Sequence, residues 1–107
     1  MRNWQLVDGE EMAKADPDSF EVPTRDEKDA LRLVDQCKLE FERVPARGGI
    51  CGERMWVLVT ERIGDQLRGT LSNQPVVIES LNFGDVVEFE IRHVLAIQAA
   101  PPLSSAN

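Results

Sequence analysis

Glu53-Arg-Met-Trp-Val-Leu-Val59, Gly69-Thr-Leu-Ser-Asn-Gln-Pro75 and Leu81-Asn-Phe-Gly-Asp-Val-Val-Glu-Phe-Glu-Ile-Arg92 decide the fold class. In the first, Met55, Val57 and Val59 fall on one face of an extended chain and Trp56 and Leu58 on the other. Apolar residues on both faces mark a central strand, read as Met55 to Glu61. Gly64-Asp65 then makes a turn, and Gln66 to Leu71 returns as its hairpin partner. Ser72 to Pro75 is a second turn, Val76 to Ile78 a short strand, and Asn82 to Asp85 a third turn. A last strand runs from Val86 to about Ile97. Upstream, Cys37, Leu39 and Phe41 alternate with Lys38 and Glu40 over Gln36 to Phe41, the period of a half-buried strand. Pro45 to Gly52, rich in Gly and Arg, reads as a flexible loop.

The amino-terminal part is helical in pattern. Asp8 precedes Gly9-Glu10-Glu11 as an N-cap with acidic residues in the first turn, and Asp16-Pro17 ends that helix early. Thr24-Arg25-Asp26-Glu27 follows the capping-box pattern. From it a helix of at most about three turns places Ala30, Leu31 and Val34 on one face. No internal repeat is read in the sequence. From Gln98 the tail Gln-Ala-Ala-Pro-Pro-Leu-Ser-Ser-Ala-Asn is small, Pro-containing and expected to be disordered. The reading is one α+β domain over 1–97 followed by a tail over 98–107. Short amino-terminal helices pack on a strongly bent antiparallel sheet, or small partly open barrel, of about five strands.

Bulk properties limit the function. A chain of 107 residues with 42% hydrophobic and 29% charged residues is an ordinary globular domain with one core. Nineteen acidic against 12 basic residues give a formal net charge of −7. With the basic residues scattered singly, that balance opposes nucleic acid and anionic membrane, and suits solubility or a basic partner. No apolar run resembles a signal peptide or a membrane span, so the expected location is cytoplasmic. Cys37 and Cys51 lack C-x-x-C spacing, and no metal or other cofactor is expected. Cys37 reads as a core residue and Cys51, between Gly49 and Gly52, as the more reactive thiol. The compartment argues against a disulfide between them.

Seven positions mark candidate chemistry. His93, the only histidine, falls in the apolar row of the last strand. It is either a general base or, more simply, a packed ring with hydrogen-bonded nitrogens. Asp85 opens that strand after Gly84, and could serve as a carboxylate only with a second group nearby. Glu53 is the carboxylate to pair with it. Arg54 points opposite to Glu53; it would clamp an anion, or tie down Asp85 or Glu53. Gly69 and Asn73 build a turn or leave room for a ligand and present an amide to it. Trp56 anchors an interface or packs beneath the amino-terminal helices. Phosphate-binding glycine motifs and a serine nucleophile elbow are absent.

The succession Asp16-Pro-Asp-Ser-Phe-x-Val-Pro23, Cys37-Lys-Leu-x-Phe41, Glu53-Arg-Met-Trp-Val57, Gly69-x-Leu-x-Asn-x-Pro75 and Gly84-Asp-x-Val-x-Phe89 resembles the bacterial family known as domain of unknown function 2314. The resemblance spans roughly residues 11–97, with the motifs in order. Val34-Asp35-Gln36 departs from it, where a Gly-Asp turn is expected before the strand. The resemblance implies a small bacterial cytoplasmic protein and carries over no catalytic residue. Together these readings favour a non-enzymatic protein- or peptide-binding module, its surface formed by Glu53, Arg54, Trp56, Gly69, Asn73 and Asp85. The alternative is a small hydrolase using His93 as base, Asp85 or Glu53 as orienting carboxylate and Arg54 as anion clamp.

Overall fold

A computed structural model describes residues 3–44 and 51–101. Its elements are β1 (Trp4–Leu6), α1 (Gly9–Ala15), α2 (Arg25–Asp29), β2 (Gln36–Arg43), β3 (Gly52–Ile63), β4 (Gln66–Leu71), β5 (Val86–Glu90), a 3₁₀ turn (Ile91–His93) and β6 (Ala96–Gln98). All strand pairs are antiparallel, in the order β1-β2-β3-β4-β5, and β6 also pairs with β2. β1 covers the far half of β2 and β6 the near half, so the chain leaves one side of the sheet at β5 and rejoins it at the other. That return bends the sheet into an almost closed barrel.

The alternation along each strand sorts its side chains. Cys37, Leu39 and Phe41 of β2, Met55, Val57 and Val59 of β3, Leu67 and Leu71 of β4, and Val87 and Phe89 of β5 fill the interior. β3 lies between β2 and β4, as its two apolar faces require. Gly69 lets β4 approach β3 closely: a Cβ there would lie 2.6 Å from Val57 Cγ1, next to a register shift between Val59 and Glu61.

Both helix starts follow the sequence. The Asp8 side chain accepts the Glu11 N–H at 3.0 Å, and Thr24 and Glu27 form a reciprocal capping box. Other expectations need correction. β1 is a strand that was not expected, in a sheet whose six strands lie close to the expected count of about five. The helix after Thr24 stops at Asp29: Leu31 is in the core, but Ala30 is exposed, and Val34 is 57% exposed with a φ of +64°. Residues 76–78 form no strand, because their N–H groups face a side-chain carboxylate instead of a neighbouring backbone. The last strand does not run to Ile97. It breaks at the 3₁₀ turn, because the Glu90 N–H turns to His93 Nδ1 (2.9 Å) rather than to a strand. Gln98 belongs to β6, and the Ala100 N–H donates to Asp35 Oδ1 at 2.8 Å, so the carboxyl-terminal segment is tied down beyond the expected boundary. Residues 45–50 of the expected loop and 102–107 of the tail lie outside the described residues.

The structure also contains a repeat that the sequence reading missed. Leu31 and Leu81, Asp35 and Asp85, and then β2 and β5 correspond at a spacing of fifty residues. Asp35 Oδ2 accepts the Arg32 N–H (3.0 Å), and Asp85 Oδ2 accepts the Asn82 N–H (2.9 Å). The residue before each aspartate has positive φ, Val34 at +64° and Gly84 at +90°. Val34 N–H donates to Val59 O and Gly84 N–H to Leu71 O, while the carbonyls of Asp35 and Asp85 accept from the same two residues. One turn design therefore starts both strands that flank the β3–β4 hairpin.

Candidate functional site

Glu53 stands across from Phe41 at the start of β3. Its carboxylate accepts the N–H groups of Val76 (3.1 Å), Val77 (3.0 Å) and Ile78 (3.1 Å). Arg43 Nη2 holds the Val77 carbonyl of the same loop at 2.7 Å. Glu53 is thus committed to fastening the β4–β5 connection. Arg54 faces the opposite way, as adjacent strand residues must. Its partner is neither Asp85 nor Glu53, as expected, but Glu40 directly across β2, at 2.8 Å, and its guanidinium lies 5.0 Å from the Phe20 ring centre.

His93 is buried in the 3₁₀ turn, and its Nδ1 accepts the Glu90 N–H. Asp85 precedes β5 and His93 follows it, so the five residues of the strand separate them by roughly 16 Å at ~3.3 Å per residue. Asp85 is engaged in its own turn and Glu53 by the 76–78 backbone. The structure does not bring His93, Asp85 and Glu53 to a common point. Gly69 faces β3 and leaves no room for a ligand there.

Two of the seven positions do meet. Asn73 Oδ1 accepts the Trp56 N–H at 2.6 Å, and the Ser72 N–H donates to the Trp56 carbonyl at 2.8 Å, extending the β3–β4 pairing past Leu71. Trp56 and Asn73 line an open groove of about 350 Å³ with Val34, Gln36, Ser72 and the 98–101 segment. Trp56 is half-buried, and Lys38 Nζ sits 5.7 Å from its ring centre. Ser72 Oγ bonds Gln36 Oε1 at 3.0 Å across the floor. Among the described residues no charged side chain lines this groove. Trp56 shares this groove with the carboxyl-terminal segment, where packing beneath the amino-terminal helices was the plainer expectation. Gln36 was legible as an outward residue of β2; Ala99 to Pro101 were not, because their position depends on the β6 pairing and the Asp35 tie.

Burial first, and the neighbouring Asp35 carboxylate second, push the Cys37 thiol up to about 12, which keeps it protonated and inert. Cys51 is half-buried, and no disulfide joins the two. Among the described residues no group of His, Cys, Asp and Glu is arranged to hold a metal ion, and no helix is long and apolar enough to cross a membrane. Compared with protein-family models, curated proteins and solved structures, the chain matches none.

Proposed function

We propose that this protein is a non-enzymatic module that binds a protein or peptide through the groove floored by Trp56. The observation that carries this reading is the contrast between the two sets of candidate residues. The ionisable candidates are each spent on internal bonds, whereas Trp56 presents a partly open ring beside the neutral amide and hydroxyl side chains of Gln36, Ser72 and Asn73. Such a pairing of one amphipathic aromatic with neutral hydrogen-bonding groups suits an extended peptide more than a charged metabolite. In this reading the two helices pack on the sheet away from the groove, which the burial of Lys28 and the close approach of Gly9 to Leu95 support. A cytoplasmic setting, a bacterial source and kinship with domain of unknown function 2314 belong to the same proposal, resting on the order of the sequence motifs. Nucleic acid and membrane fit an acidic chain of net charge −7 poorly, while a basic protein or peptide fits it well.

The test is a Trp56→Gln substitution, which removes the ring but keeps the backbone N–H that Asn73 holds. A specific partner captured by the wild type and released by a folded Trp56→Gln variant supports the groove. Equal capture by both moves the site elsewhere, and a hydrolytic activity abolished by His93→Gln in a folded protein overturns the non-enzymatic reading.

A further inference from the structure

β5 ends the strand order and, among the described residues, pairs only with β4. Its counterpart fifty residues earlier, β2, has its outer edge covered. β6 pairs there with Gln36 to Lys38, and Ala100 then donates its N–H to Asp35 Oδ1. On β5 the odd-numbered residues face β4: Asp85 O accepts the Leu71 N–H, and the Ile91 N–H donates to Asp65 O just past the strand. Val86 and Glu88 therefore turn their backbone groups to the open edge, while the Glu90 N–H is already given to His93. Asp85 uses Oδ2 for its turn, as Asp35 does, and none of the described residues donates to its Oδ1. At Asp35 that second oxygen receives the added strand.

We propose that the open edge of β5 binds an extended peptide as an added antiparallel strand, with a peptide N–H donated to Asp85 Oδ1. The proposal rests on the reading of the protein as a binding module and gives that module a second, defined surface. Along β2 the equivalent position is filled by Leu95-Ala-Ile-Gln-Ala-Ala100, which shows the kind of segment this geometry accepts: small or apolar residues with one glutamine and no proline. Beside β5, a seam cavity of about 400 Å³ lined by Leu6, Phe89 and His93 among others offers room for one inward side chain. Charge selects between occupants. Val86, Glu88 and Glu90 point outward, so pairing with a second copy's β5 would bring Glu88 against Glu88. The partner is therefore a heterologous peptide with lysine or arginine flanking its strand, consistent with the net charge of −7.

The probe is a fluorescein-labelled peptide carrying the Leu-Ala-Ile-Gln-Ala-Ala segment between two lysines, with a glutamate-flanked version as control. Wild-type protein is expected to prefer the lysine form, and binding to slow amide exchange at Val86 and Glu88 while leaving Gln36 and Lys38 unchanged. Val86→Pro removes an outward N–H at the first strand position, where proline is tolerated, and is expected to weaken binding at least tenfold. Glu88→Lys should reverse the preference between the peptides. Should Val86→Pro fail to fold, N-methylation of the peptide at alternate amides removes the same ladder from the other side. No binding of either peptide by the wild type at millimolar concentration overturns the proposal, as does binding indifferent to Val86→Pro and to N-methylation. Perturbations centred on Trp56 and Asn73 would also overturn the β5 edge while upholding the binding-module reading; displacement of β6 from Gln36 and Lys38 overturns it too.

Discussion

Val34 shows how a single residue can sit against its own preference. A β-branched side chain at a φ of +64° is strained, because Cβ crowds the backbone in the left-handed region. The turn demands that conformation: the Val34 N–H must reach Val59 O (2.8 Å) before Asp35 closes the turn. A Gly-Asp pair, as at Gly84-Asp85 in the matching turn, would meet the demand without strain, so valine stands where the backbone suits it least. Val34→Gly should stabilise the fold by about 1 kcal/mol, since strain of roughly 1–3 kcal/mol outweighs the added freedom of glycine in the unfolded chain. Urea denaturation measures it, and a variant less stable than wild type would refute the strain. Glu53 is the opposite case, a residue whose role was invisible in sequence because its donors lie 23 or more residues away. Glu53→Ala leaves the Val76, Val77 and Ile78 amides without their acceptor and should cost about 2 kcal/mol, given ~1.5–3 kcal/mol for a hydrogen bond to a charged group and partial replacement by water. Glu53→Gln, which keeps one acceptor oxygen, should lose less; equal losses would show that the charge rather than the acceptor matters.

At the scale of elements, local signals were legible and long-range ones were not. The caps at Asp8 and Thr24, the Gly64-Asp65 hairpin and the alternation of β2 and β3 each follow from residues adjacent in sequence. The 76–78 segment and the span beyond Glu90 were misread, since a β-like pattern says nothing about which partner takes the N–H groups. Trp4–Leu6 was missed for a related reason: three residues give too short a pattern, and the strand exists through its register with Phe41 to Arg43. One junction between elements is pH-dependent. Arg92 bonds Glu90 (3.2 Å) and also Asp8 (2.9 Å), the cap of α1, and so links the 3₁₀ turn to that helix. Burial works to raise the Asp8 carboxyl, but the Glu11 amide and Arg92 outweigh it and hold it below its ordinary value. The hydrogen bond from Arg92 likewise lowers Glu90. Because both folded-state values are depressed, their contribution is present above the ordinary carboxylate range near pH 4 and is lost as pH falls through the lowered values. Melting temperature should therefore fall more steeply below about pH 4 in the wild type than in Arg92→Gln. Parallel acid profiles for the two proteins would contradict this.

For the whole molecule, the sequence carried the class, a bent antiparallel sheet with short helices, because alternation and turn residues determine which faces are buried. It allowed a partly open barrel but not the pairing that makes one, which depends on the chain crossing from β5 to the far edge of β2. Nor did it disclose the candidate groove, whose walls come from Trp56, the Asn73 turn and the segment after β6. Asp35 concentrates that closure in one side chain. It is almost fully buried, accepts the Arg32 N–H to form its turn and the Ala100 N–H to hold the segment beyond β6. The Asp85 side chain, in the same turn geometry, is less buried and among the described residues accepts only the Asn82 N–H. If the repeated turn were all that mattered, alanine at either position would cost the same. Because Asp35 also fastens the closing strand, Asp35→Ala should cost about 3 kcal/mol against about 1.5 kcal/mol for Asp85→Ala, each lost charged bond contributing ~1.5 kcal/mol. Asp35→Ala should in addition speed amide exchange at Ile97, Gln98 and Ala100, which Asp85→Ala leaves alone. Equal destabilisation, or unchanged exchange in that segment, would mean that β6 is held by its pairing with β2 alone and that Asp35 serves only its turn.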